Sequence, residues 1–193
     1  MHKYPYGTYD YLKQCLLHEV IKPKSNQKFT WNRVIRRACS FPERRFLFWW
    51  RIANYLFLSK KSPKLANYIS RKLQAKYGCE VGIGARIAHG FSVGHYVGLV
   101  IAYESVIGSN FHPRQNTTVG ILSSDQKGFI YIGDNVTIGA HSCIIGDDIR
   151  IGDNVMIGAM CFVNKDIPDN SIVYTPKEDN IIKRSDKNNR SIW

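Results

Sequence analysis

Residues 79–120 read CEVGIGARIAHGFSVGHYVGLVIAYESVIGSNFHPRQNTTVG, and aliphatic residues recur through this stretch at a fixed step. Val81, Ile87 and Val93 fall six apart; two extra residues intervene, and Ile101, Ile107, Pro113 and Val119 resume the step. After a longer interruption from Gly120 to Tyr131, the step returns as Ile132, Ile138 and Ile144. It shifts by one near Asp147-Asp148 and closes with Ile151, Ile157 and Val163. Neither the helical period nor the strand period produces such a spacing.

A hexapeptide period reads as a parallel β-helix, each unit a short strand plus a corner. The marker side chain points into a narrow prism. Gly, Asp-Asn and Gly-Ala beside the markers supply corners that tolerate positive φ. Three faces make one coil, so residues about eighteen apart stack on one another.

The resemblance then becomes specific. Its residues are Ala85-Arg86-Ile87, Gly94-His95-Tyr96-Val97-Gly98-Leu99-Val100-Ile101, Ser105-Val106-Ile107-Gly108 and Thr117-Thr118-Val119-Gly120. Ile157-Gly158-Ala159 and Val163-Asn164-Lys165-Asp166-Ile167-Pro168 continue it. Over residues 78–183 the chain resembles the left-handed β-helix, hexapeptide-repeat acyltransferases. Within them it resembles the serine acetyltransferase-like branch, which includes capsule and lipopolysaccharide O-acetyltransferases. The resemblance implies a left-handed β-helix, acetyl-CoA as donor and a homotrimer.

Acetyl transfer from a thioester to a hydroxyl needs a base, donors for the oxyanion, and sites that bring the partners together. A histidine titrating near neutrality suits the first task. His95 is the candidate: it falls at the corner where two extra residues break the step, and its His-x-x-Gly context matches the family. Glu80, fifteen residues earlier and close to one coil below, is the candidate to orient the imidazole, where serine acetyltransferases carry Asp. His112, seventeen residues after His95, is a candidate substrate contact with Arg114 and Gln115 beside it. His89 and His141 have less context. Zinc sites on related β-helices use three histidines, but the spacing here does not repeat that pattern, and no metal is expected.

For acetyl-CoA the resemblance implies a groove between subunits. Gly120, Gly139-Ala140 and Gly158-Ala159 would line the pantetheine arm, with Lys165, Lys183 and Arg184 as phosphate partners. Val173-Tyr174-Thr175-Pro176 departs from the family, which often has Gly before the proline. A larger departure concerns the acceptor. Serine acetyltransferases carry Asp-Arg-His-Pro in the loop after the glycine matching Gly120, and its Arg and His contact the amino acid. Here residues 121–130 hold neither. An α-carboxylate would lose its bidentate partner, whereas a sugar hydroxyl needs none.

The N-terminal 77 residues are of another kind. They hold 17 Lys/Arg against 3 Asp/Glu, while residues 78–193 hold 10 against 12. Four helices are expected there: Thr8 to Ile21, Thr30 to Cys39, a third opened by a Ser40-Phe41-Pro42-Glu43 capping box and running to Ser59, and Ser62-Pro63 to a Gly78 C-cap. In the third, Phe46, Trp49, Trp50, Ala53 and Leu56 or Phe57 recur at helical spacing. That stripe either packs internally or, with the basic residues, rests on a membrane. The positive field attracts polyanions, anionic lipid or nucleotide-linked substrates, or is simply solvated. No nucleic-acid motif accompanies it. The five cysteines lack CxxC spacing, which suits reduced thiols, and no secretory signal precedes them, so a cytoplasmic location is expected, with or without peripheral membrane contact.

The expected organisation is an α-helical segment over 1–77, the β-helix over 78–176, and a charged tail over 177–193. After Val163 the repeat is expected to stop. The expected activity is an O-acetyltransferase acting on a sugar hydroxyl of a surface polysaccharide or its precursor. Serine O-acetylation is the alternative enzyme, and a non-catalytic trimeric module that binds glycan or membrane is the alternative of another class.

Overall fold

The computed structural model describes residues 4–23, 28–122 and 128–176. Two parts follow one another: a helical region, then a three-sided parallel β-helix. Its first sheet stacks β1 (Glu80–Val81), β3 (Val100–Ile101), β6 (Thr118–Gly120), β9 (Cys143–Ile145) and β12 (Phe162–Val163). The second stacks β2 (Arg86–Ile87), β4 (Ser105–Ile107), β7 (Ile130–Ile132) and β10 (Arg150–Ile151). The third stacks β5 (His112–Pro113), β8 (Thr137–Ile138), β11 (Met156–Ile157) and β13 (Ile172–Val173). All pairings are parallel; Val81 sits against Ile101, Ile101 against Val119 and Val119 against Ile144.

Every marker of the six-residue step, Pro113 included, is buried. Phe91 and Phe111 stack inside the prism at 6.0 Å between ring centroids. The corners run as ladders. Asn110, Asn135, Asn154 and Asn170 all adopt positive φ, and each donates its amide to the side-chain oxygen of the next at 2.9–3.0 Å. Short asparagine side chains tolerate that conformation and satisfy one another there.

The repeat does not stop at Val163. Ile167 bridges to Ile151, and β13 pairs with β11, so a last partial coil closes the prism. The spacing concealed it, because the step from Val163 to Ile167 is four rather than six.

Helix α1 (Tyr9–Leu16) is capped by the Thr8 hydroxyl and runs into a π-helical turn, Leu17–Ile21. Then come α2 (Trp31–Ser40), α3 (Pro42–Leu58) and α4 (Pro63–Tyr77), which ends on Gly78 at φ 59°. The expected capping box does not form. Ser40 is still helical and donates its hydroxyl to the Arg36 carbonyl, so Phe41 takes the extended N-cap position.

Helix α3 lies against the first coil, whose β1 and β2 are sheet edges. An edge strand presents unpaired backbone groups. Side chains of α3 fill that need: the Trp50 indole donates to the Val81 carbonyl at 3.0 Å, Arg51 to those of Ile87 and Ala88, and Asn54 to that of Ala85. Arg51 is itself buried and held by both carboxylate oxygens of Glu19, which also accepts the Phe91 amide. The helical region is thus bonded to the prism through its backbone. Of the aromatic stripe, Phe46 and Trp50 are buried in that junction, whereas Trp49 is exposed.

Candidate active site

His95 sits on the loop that absorbs the two extra residues between buried Val93 and buried Leu99. Its side chain is exposed and makes no hydrogen bond or ion pair among the described residues. The loop that carries it is held from both sides. Tyr96 stacks on Phe46 of α3 at 6.4 Å and meets Tyr77 of α4 edge-on at 5.0 Å. Gly98 donates its amide to the Gly78 carbonyl at 2.8 Å, and Val97 accepts the Asn116 amide at 3.0 Å. Gly98 has φ 70°, and any Cβ there would collide with the Asn116 side-chain oxygen. The glycine of His-x-x-Gly is therefore a requirement of the corner, not of the imidazole.

From that loop a column of corners climbs the edge between the third and first sheets. Gly98, Asn116, His141 and Met160 all have positive φ. They are linked by amides donated from Asn116 to Val97, from His141 to Gln115 and from Met160 to Ala140. The column brings His95's loop, Gln115, Ala140 and Ala159 onto one edge of the prism. Beside its upper part a groove of about 410 Å³ is lined by His141, Cys143, Met160, Cys161 and Phe162.

The backbone groups of the glycines beside the column are engaged within the prism. The Gly139 amide is donated to Ile157 and that of Gly158 to Val173, while their carbonyls accept from Thr117 and Ser142. A Cβ on Gly139 would strike the backbone of Ala159. These glycines let one coil seat on the next. What the outside of the column offers are the short side chains of Ala140 and Ala159. A Cβ on Gly120, by contrast, would meet only the Thr118 methyl at 3.9 Å, an ordinary van der Waals contact.

Glu80, exposed at the start of β1, is not joined to His95. Its carboxylate accepts from the Gln74 amide of α4 at 2.9 Å. It lines a groove of about 670 Å³ between α3, α4 and the first coil, walled also by Phe46, Trp50, Arg71, Gln74 and Tyr103. Sequence reasoning missed this groove. Its signal was the polar flank of α4, where Asn67, Ser70, Arg71 and Gln74 recur at helical spacing.

His112 on β5 alternates with buried Pro113 and so faces outward, half-buried, on the coil after Ser92, whose amide reaches the Phe111 carbonyl. Burial first, then Arg114 and Lys22, push its pKa below the ordinary histidine value. Arg114 is exposed and Gln115 half-buried at the adjoining corner. Of the other histidines, His89 packs beneath the helical region against Tyr4, Tyr11 and His18, away from the column. His141 faces the Asn116 amide at 3.3 Å. Lys165 is exposed on the exit from β12. Lys183 and Arg184, with the rest of 177–193, lie outside the described residues, as does 123–127 of the loop after Gly120. Among the described residues no group of three or more His, Cys, Asp or Glu is arranged to hold a metal.

Comparison with known proteins adds to this geometry. The bacterial transferase hexapeptide (six repeats) model matches residues 129–165. The putative colanic acid biosynthesis acetyltransferase WcaB of Escherichia coli (strain K12) is 32% identical over 136 residues, covering 66% of this chain and 83% of the relative. Serine acetyltransferase 1, chloroplastic, of Arabidopsis thaliana is 36% identical over 100 residues, covering 50% of this chain and 31% of the relative. Among solved structures, serine acetyltransferase isoform 3 of Entamoeba histolytica, in complex with cysteine, superposes with a TM-score of 0.71 at 25% identity. That match covers 91% of this chain but 61% of the other, so the chain spans about three-fifths of its length.

Proposed function

Because the chain belongs to the hexapeptide-repeat acetyltransferase family, we propose that it transfers acetyl from acetyl-CoA to a sugar hydroxyl of a surface polysaccharide or its precursor. The observation that carries the donor half is the corner column. An exposed histidine, unpartnered among the described residues, stands on a loop held from both sides at its foot, and small side chains and a groove line its upper part. A pantetheine arm laid along Ala159 and Ala140 would bring its thioester down toward His95. The reading takes the β-helix as left-handed and the molecule as a homotrimer with the donor between neighbours. Exposed Met156, Met160, Phe162 and Ile172 on the outside of the prism support such a contact. Lys165, Lys183 and Arg184 are proposed for the phosphates.

In this mechanism a ring nitrogen of His95 takes the acceptor hydroxyl's proton as the oxygen attacks the thioester carbonyl. The tetrahedral intermediate collapses, and the imidazolium returns the proton to the leaving CoA sulfur. Glu80 would act by exchanging its Gln74 bond for one to the imidazole, which would set the tautomer and favour the cation. His112, Arg114 and Gln115 are proposed on the acceptor side.

Two things favour a saccharide: the similarity to WcaB, and the absence of Arg and His from residues 121–130. The test is thiol release from acetyl-CoA with glycoside acceptors and with free serine, followed by mass spectrometry of surface glycan from cells with and without the gene. Saccharide-dependent release is expected. Release that depends on serine alone would make the protein a serine acetyltransferase; release with neither, and an unchanged glycan, would leave a binding module.

A further inference from the structure

We propose that the solvent face of α4 docks on an anionic lipid bilayer. From Lys60 to Tyr77 the chain carries Lys60, Lys61, Lys64, Arg71, Lys72 and Lys76, and no Asp or Glu. Helix α4 buries Ala66, Leu73 and Tyr77 along one side. Lys64, Arg71, Lys72 and Lys76 are left exposed, and none of them is ion-paired among the described residues. Set among these cations are two large side chains the fold leaves bare, Leu65 at 47% exposure and Tyr68 at 53%. Lys72 stands over the Tyr68 ring at 5.6 Å.

A merely solvated helix face has no use for Leu and Tyr between its lysines; a helix lying at a lipid headgroup layer does. Charge complementarity selects the partner. Lys64, Lys72 and Lys76 lie exposed along the helix and outside the groove that Arg71 borders, and a bilayer offers a plane of phosphates to the whole row. A nucleic-acid duplex would answer the charge but gain nothing from Leu65 and Tyr68. Among the described residues no helix is long and apolar enough to cross a membrane, so the contact is peripheral. It also lies elsewhere than the aromatic stripe suggested, since Trp50 is buried and hydrogen-bonded inside the cap junction. The adjoining flank of α4, with Arg71 shared between the two, lines the groove that Glu80 borders, so docking would hold that groove beside the headgroups.

Vesicle co-sedimentation of the full chain tests the proposal, using phosphatidylcholine with and without about one-third phosphatidylserine. The wild type should sediment only with the anionic vesicles, and less as salt rises from about 50 to about 500 mM. Each cation near such a surface strengthens partitioning by roughly fivefold, so Lys64→Glu/Lys72→Glu/Lys76→Glu should weaken it by at least about 100-fold. Leu65→Ser/Tyr68→Ser should weaken it several-fold at every salt concentration. Circular dichroism checks folding; should the reversal unfold the protein, the Lys→Gln triple is measured in its place. Three results would overturn the proposal. One is no sedimentation at low salt. Another is binding that survives the α4 triple and is lost in Arg33→Glu/Arg36→Glu, which would move the surface to α2. The third is α4-dependent binding of a short DNA duplex without preference for anionic vesicles.

Discussion

Gly98 and Asn116 occupy the same corner on successive coils, and the left-handed backbone of the first leaves room only for the side-chain oxygen of the second. The loop that carries His95 ends on this contact. Gly98→Ala would combine positive-φ strain with a collision and displace the loop. Misplacement of a reacting group by about 1 Å can cost about 100-fold. Turnover should fall by about that much while circular dichroism of the prism is unchanged; normal turnover would detach the corner from the site.

His95→Ala should lower turnover by roughly 10²–10⁴-fold, the ordinary size of general-base catalysis, with acetyl-CoA still bound. Steady-state rates and isothermal titration calorimetry check the two halves. Glu80→Gln should cost less than His95→Ala, since Glu80 is bonded to Gln74 and would act only through the imidazole.

Arg51 and Glu19 form a buried, two-pronged ion pair that also binds the backbone of the first coil. Removing one partner strands a buried charge, at a cost of about 3–5 kcal/mol. Arg51→Met should therefore lower the melting temperature sharply. Glu19→Leu/Arg51→Met should recover part of the loss, the rest reflecting the carbonyls of Ile87 and Ala88 left without a donor. Equal melting of Arg51→Met and wild type would show that the junction does not depend on the pair.

The His89 pKa lies below its ordinary value because of burial first, then His18 and Arg51. The folded state thus favours neutral imidazole, and the unfolded chain binds the proton more readily. Stability is fully present above the unfolded pKa of about 6.5 and declines as pH falls from there toward the lower folded value. His112 acts with the same sign. Melting curves between about pH 7 and pH 5 should show this decline, and His89→Phe should blunt it in part. A slope unchanged by the substitution would locate the acid sensitivity elsewhere.

How much of this was legible in the sequence follows from the range of the interactions. The repeat is local: each hexapeptide carries its own inward residue and its own corner, so Val81 through Val163 could be read as one buried series without knowing what touched what. Helix ends signalled by Thr8, Pro63 and Gly78 were legible for the same reason, since a cap is satisfied within a few residues. Ser40 misled because two helices compete for it, and the preceding one keeps it. Tertiary structure alone decided the rest. The repeat could set Glu80 near the His95 loop, but the register places it beneath Val100, and its hydrogen-bond partner came from α4, whose position depends on α3 bonding the open edge of β1 and β2. The same docking turned Trp50 inward, left Trp49 outside, and opened the groove beside Glu80. Gln74 and Glu80 are only six apart, but the contacts that dock the helices join residues some thirty apart or more, as in Trp50 to Val81 or Glu19 to Arg51. No periodicity encodes them, because they are set by the backbone groups that a terminal coil leaves unpaired.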